Sequence, residues 1–168
     1  FCVTSCEFSA VSMDGMTKTD YQKKIEDALA SSVSNGKPKI MAFICDRSLD
    51  LAAITSEDGM TLAAHPSVAV MVTPCIGVVS PAMVEYSRKG GAQGVVVVGC
   101  RPLDCHYRET RRRMSKDRTS TFLVEELTNV NLKVALVSPF DADKLMSEIG
   151  EFMEQVKEEP SRVKGGVR

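Results

Sequence analysis

The chain reads as an α/β domain: a parallel sheet of about four strands with helices on both faces, three-layered and flavodoxin-like. Three observations predict this. Four short apolar runs (39–44, 68–73, 94–99 and 133–137) read as strands, and the four consecutive valines of the third suit a strand buried on both faces. Segments with helical spacing separate the runs, and that alternation builds a parallel sheet with right-handed crossovers. The third observation is size. The 168 residues, 43% hydrophobic and 26% charged, suffice for one globular core.

The first sixteen residues carry Cys2 and Cys6 in a C-x3-C pair. The last two ligands of a bacterial ferredoxin motif have this interval, but two thiols alone do not complete a cluster. Two unrelated thiols is the competing reading. Thr17 to Val33 predicts a helix with Tyr21, Ile25, Ala28 and Leu29 on one face. Thr17 or Thr19 can cap it, and Asp20 suits its first turn. Ser34-Asn35-Gly36-Lys37-Pro38 stops it.

The first strand then runs to Cys45. Arg47 to Ser56 predicts a helix with Leu49, Ala52, Ala53 and Ile54 inward. The second strand leads into Pro74-Cys75. Ser80-Pro81 starts another helix, with serine as N-cap and proline at N1, and Gly90-Gly91 ends it. The third strand contains Val95 to Val98 and meets Cys100. A loop with Pro102 reaches Cys105, which is expected to open a polar, basic helix from about Tyr107 to Asn129. After the fourth strand, Asp141 caps a last helix with Leu145, Met146, Ile149, Phe152, Met153 and Val156 at helical spacing. Residues from Pro160 form a polar, loose tail. The expected divisions are 1–16, the end of a truncated ferredoxin-like segment; 17–37, helix and linker; 38–158, the main domain; and 159–168, the tail.

Several function classes lose support. A net charge of −1 supplies no global basic field for nucleic acid or acidic lipid. No apolar run approaches the roughly 18–20 residues of a membrane span. No G-x-G-x-x-G follows a strand, so a dinucleotide fingerprint is missing. Six cysteines in an α/β pattern favour a reduced compartment with metal or redox chemistry.

Cys45, Cys75 and Cys100 each end or follow a strand, and Cys105 lies five residues beyond the third. Open α/β sheets carry their chemistry at that edge. Four soft ligands there suit an iron–sulfur cluster, a zinc ion, or a reversible dithiol at Cys100 and Cys105. Zinc more often comes with tight C-x2-C pairs. The C-x4-C interval at Cys100 and Cys105 also occurs in plant-type ferredoxins. For any one of these cysteines, a small buried hydrophobe is the competing reading. Arg101 and His106 stand where they would tune a cluster, with His106 as a ligand the alternative. The run Arg108, Arg111, Arg112, Arg113, Lys116 and Arg118 is either a solvated face or a dock for an acidic partner. Cys105 and Arg111 have the C-x5-R spacing of a cysteine phosphatase loop. No glycine lies between them to curl amides around phosphate, which argues against it.

Gly99-Cys100-x-Pro102-x-Asp104-Cys105-His106-Tyr107, with Arg112-Arg113 soon after, resembles the delta subunit of methyl-viologen-reducing hydrogenase. Phe43-Ile44-Cys45 and Pro74-Cys75-Ile76-Gly77 resemble its other cysteine motifs, over about Lys39 to Val137. Leu103 replaces a glycine of the family pattern. Ile44 and Ser48 stand where further cysteines are common. The resemblance implies an electron-transfer subunit with a 2Fe–2S cluster on Cys45, Cys75, Cys100 and Cys105, with other subunits of a redox complex as partners. Residues 1–30 look like the end of the ferredoxin insert in the A-type subunit of heterodisulfide reductase. The fusion is similar to the B-type subunit of quinone-interacting membrane-bound oxidoreductases. That resemblance implies a 4Fe–4S cluster, to which Cys2 and Cys6 belong, and FAD in a preceding part of a longer chain. It also implies a cytoplasmic setting, with membrane association only through a partner. The rival readings are a cofactor-free docking module and a dithiol relay.

Overall fold

A computed structural model describes residues 14–15, 17–108 and 131–158. Strands β1 (Ile40–Cys45), β2 (Val68–Thr73), β3 (Gly94–Cys100) and β4 (Leu132–Val137) form one sheet in the order β2-β1-β3-β4. All pairings are parallel. Ile44 stands opposite Val72 on one side and Val98 on the other. The chain steps from β1 outward to β2, then returns across β1 to β3. The order therefore reverses between β1 and β3, and a flavodoxin-like sheet has its switch point there.

Alternation along each strand splits the interior into two cores. On one face Met41, Phe43, Val95 and Val97 pack against Tyr21, Ile25, Ala28 and Leu29 of helix α1 (Lys18–Ser31). Two further groups, the short 3-10 turn Ile76–Val78 and helix α3 (Pro81–Lys89), complete that layer through Ile76, Met83 and Val84. On the other face Ile40, Ala42, Ile44, Val96 and Val98 meet Leu145, Ile149, Phe152, Met153 and Val156 of helix α4 (Ala142–Glu158). This is the expected three-layer arrangement.

The local signals work as physical devices. Thr17 and Asp20 form a capping box at the start of α1: Asp20 N–H donates to Thr17 Oγ1 at 3.2 Å, and Thr17 N–H donates to Asp20 Oδ2 at 2.8 Å. Ser80 caps α3 by accepting from the Met83 amide, with Pro81 at N1. Gly94 begins β3 where a Cβ would lie 2.9 Å from Ile40 Cδ1 and 3.1 Å from Phe152 Cε1, so a side chain there would collide with both neighbours.

Three expectations need correction. The segment expected to be helical from Arg47 to Ser56 contains only α2 (Leu51–Ile54). Leu49 and Ile54 are buried there as expected, but Ala52 and Ala53 are exposed. The isolated bridge between Thr55 and Leu62 takes the chain out of the helix after one turn. No helix opens at Cys105 either. Residues 102–107 form successive turns, and Arg108 has a left-handed φ of 55°. Finally, Asp141 precedes α4 as expected, but its carboxylate accepts from Ser138 N–H at 2.8 Å and Ser138 Oγ–H at 3.0 Å. It closes the turn before the helix. The helix expected over 109–129, the tail, and Cys2 and Cys6 lie outside the described residues.

Candidate functional site

β1 and β3 end side by side at the switch point, and each ends in a cysteine. Cys45 Sγ and Cys100 Sγ lie 3.7 Å apart. Cys75 follows β2 by two residues and caps the 3-10 turn, its Sγ accepting from the Gly77 amide at 3.4 Å. Cys105 sits in the turns after β3. All four are buried, the most exposed being Cys105 at 8%. The sheet thus brings to one edge four thiols drawn from three separate stretches of chain.

Backbone devices hold them there. Asp46 N–H donates to Thr73 O at 2.9 Å, extending the β1–β2 ladder past Cys45. Buried Ser48 donates to the Cys45 carbonyl through its Oγ at 2.7 Å and its amide at 3.0 Å, which closes the turn behind the thiol. At Gly99 a Cβ would lie 2.7 Å from Ile76 Cδ1. Only a glycine lets the Cys75 turn lie so close on the end of β3. An isolated glycine inside a strand pattern is the sequence signal for such an approach. No comparable signal marks Ser48 or Thr73, both buried polar residues that bind neighbouring carbonyls.

The electrostatics follow from this crowding. Burial pushes the Cys100 thiol up to about 12, and its neighbours Cys45, Cys105 and Cys75 push in the same direction. A sulfur in that position keeps its proton at neutral pH unless a cation replaces it.

The expected tuning residues fare differently. Arg101 turns to Asp141, with Nη2 and Oδ2 2.5 Å apart, so its guanidinium ties the loop after β3 to the turn before α4. Asp141 is held below the usual carboxylate range by the Ser138 amide and hydroxyl, and then by Arg101. His106 is exposed and packs edge-on to Tyr107 at 5.0 Å. Of the basic run, Arg108 is described and exposed. Arg111, Arg112, Arg113, Lys116 and Arg118 lie outside the described residues.

The donor set suits a soft metal group. Two thiolates bound at about 2.3 Å to one tetrahedral metal stand about 3.8 Å apart, close to the Cys45–Cys100 separation. No three His, Cys, Asp or Glu groups among the described residues are gathered to hold a single ion. A two-iron cluster asks for less, since its four cysteines are shared between two irons. Ile44 lies in the opposite core, on the face away from Cys45. The sequence model of the methyl-viologen-reducing hydrogenase delta subunit matches residues 40–160.

The chain belongs to that family. Among relatives of this delta-subunit domain is the A-type subunit of a CoB-CoM heterodisulfide reductase from Methanosarcina acetivorans, 30% identical over 128 residues. The match covers 72% of this chain and 16% of the relative. Its counterpart in Methanosarcina mazei gives the same identity and coverage. The D-type iron-sulfur subunit of a hydrogenase from Methanococcus voltae is 36% identical over 73 residues, covering 44% of this chain and half of the relative. The delta-subunit domain therefore spans about a sixth of the reductase subunits it matches. No helix among its described residues is long and apolar enough to cross a membrane.

Proposed function

We propose that this domain passes electrons through a 2Fe–2S cluster held by Cys45, Cys75, Cys100 and Cys105, within a redox complex of the heterodisulfide reductase or hydrogenase type. The observation that carries the reading is the 3.7 Å approach of Cys45 and Cys100 at the switch point, with the other two thiols buried at the same edge. When bound, the cluster would supply one-electron chemistry. The chain's own residues bind and shield. Ser48 and the Thr73–Asp46 hydrogen bond position Cys45, Gly99 admits the Cys75 turn, and the flanking apolar groups keep water from the sulfurs. The four thiols release their protons on loading, so uptake rises with pH. We place Arg101 as a loop tie and His106 as a surface neighbour of the cluster.

The same reading extends to the rest of the chain. Cys2 and Cys6 are assigned to a 4Fe–4S segment over 1–16, with 17–37 as a connecting helix and linker, 38–158 as the delta-subunit domain and 159–168 as a tail. FAD is assigned to a preceding part of a longer protein. Other subunits of a redox complex, in a cytoplasmic setting, are the proposed partners.

Anaerobic reconstitution of the chain with iron and sulfide tests the reading. Brown protein with equal iron and sulfide, and a reducible signal by electron paramagnetic resonance, is expected. Stoichiometric zinc, or no metal after reconstitution, would exclude it. A second reading, a cofactor-free docking module, draws on Ile44 and Ser48, which stand where the family resemblance puts further cysteines. It requires Cys100→Ser to leave electron transfer through the complex intact.

A further inference from the structure

We infer that Cys45 and Cys100 form a reversible disulfide across the switch point, a redox modification site that closes when the thiols hold no metal. Geometry makes the case. Both are thiols, and their sulfurs stand 3.7 Å apart although the residues are 55 positions apart in the chain. Ile44 pairs with Val98 across β1 and β3, so Cys45 comes level with Gly99, one step before Cys100. That diagonal between neighbouring strands is about 6 Å between Cα atoms, the usual separation across a disulfide. The bond needs an approach of under about 2 Å by the sulfurs.

The chemistry balances with hydrogen peroxide as oxidant. One sulfur attacks a peroxide oxygen, forming an S–O bond and breaking the O–O bond. The second sulfur displaces that oxygen, forming the S–S bond. The two sulfurs lose two electrons, the peroxide gains them, and both thiol protons leave in the two waters formed. Each thiol is 4% exposed, so the oxidant has to be small. A soluble dithiol reverses the bond through two exchange steps.

Closure uses the two sulfurs whose spacing fits one metal centre. It therefore competes with loading, and a metal-free domain keeps these two thiols from the irreversible oxidation states. The disulfide stands independently of the cluster reading; only its effect on loading rests on it.

The test treats the metal-free chain with hydrogen peroxide, followed by alkylation, intact mass and peptide mapping. We expect a loss of two hydrogens, one linked peptide pair containing Cys45 and Cys100, and reversal by dithiothreitol. Cys75→Ser should retain the link, and Cys45→Ala and Cys100→Ala should each lose it. Should the alanine variants fail to fold, the map of the unaltered chain decides alone. A link between any other pair, oxidation only to sulfinic acid, or no reaction would overturn the proposal. The linked chain should take up at least about tenfold less iron than the reduced chain, since two of its four ligands are withdrawn. Undiminished uptake would overturn the competition. A chain that links Cys45 to Cys100 yet takes no iron in either state would instead overturn the cluster reading and leave the disulfide standing.

Discussion

Strands β1 and β3 lie side by side, and their bodies differ from their carboxyl ends in chemistry but hardly in burial. Along the bodies, Met41, Phe43, Val95 and Val97 face one core, and Ile40, Ala42, Ile44, Val96 and Val98 face the other, all with 0% exposure. At the ends, Cys45 and Cys100 are nearly as hidden, at 4%. Excluding water from a methylene stabilises the fold by about 0.8 kcal/mol. Excluding water from a thiol does something else: it penalises the thiolate and drives the Cys100 thiol up to about 12. One desolvation thus serves two ends. In the bodies it holds the sheet together. At the edge it keeps the Cys100 sulfur protonated until a partner takes it, whether a metal or the sulfur of Cys45.

The comparison breaks first at the bodies. Phe43→Ala should lower stability by about 3–5 kcal/mol by leaving a cavity between the sheet and its helical layer. Urea denaturation measures it, and a cost under about 1 kcal/mol would mean that face is not the core. Next is the boundary between body and edge. Gly99→Ala should cost about 1–3 kcal/mol, because Ile76 has to move. The same variant should bind less iron on reconstitution, since Ile76 adjoins Cys75. Loss of stability with unchanged iron content would separate packing from the site.

The edge itself is read by pH. The unfolded chain gives up the Cys100 proton above its ordinary value of 9.0, while the folded chain keeps it until about 12. Over that window the native state binds more protons, so its stability falls as pH rises. The urea midpoint of the metal-free protein should decline there, and that of Cys100→Ala should decline less. Equal slopes would remove Cys100 as the cause. The smallest effect belongs to the outer rim. The lowered carboxyl of Asp141 contributes stability that is present above its unfolded value and lost as pH falls through the lower folded value. Asp141→Asn should cut into that acid-side loss, and calorimetry at low pH should show only a small shift because the Arg101 side of the pair is half exposed to solvent.

Much of this was legible in the chain. Unbroken apolar runs located β1 to β4 within a residue or so: β1 and β3 are buried on both faces and admit no polar alternation, while the edge strands β2 and β4 expose Val72 and Val134. Ser80-Pro81 and Thr17 marked helix starts, because capping is local chemistry. The stretch from Arg47 to Ser56 misled, because its apolar spacing fits a helix while the Thr55–Leu62 bridge ends it after one turn. The turns after Cys105 misled in the same way, since the left-handed backbone at Arg108 leaves no composition signal. Within the site, strand-end position revealed which cysteines share an edge. It did not reveal that Cys45, 55 positions earlier in the chain, supplies a sulfur 3.7 Å from Cys100.

By itself the sequence determined the elements, the alternation that makes the sheet parallel, and the edge at which the thiols emerge, because each depends on residues close together in the chain. Tertiary structure alone decided the strand order β2-β1-β3-β4, the approach of Cys45 to Cys100, the turn of Ile76 over Gly99 and the tie from Arg101 to Asp141. Those are contacts between stretches joined only by the register of parallel strands. Such a register is set when both faces of the sheet are packed at once, so no single stretch of chain encodes it.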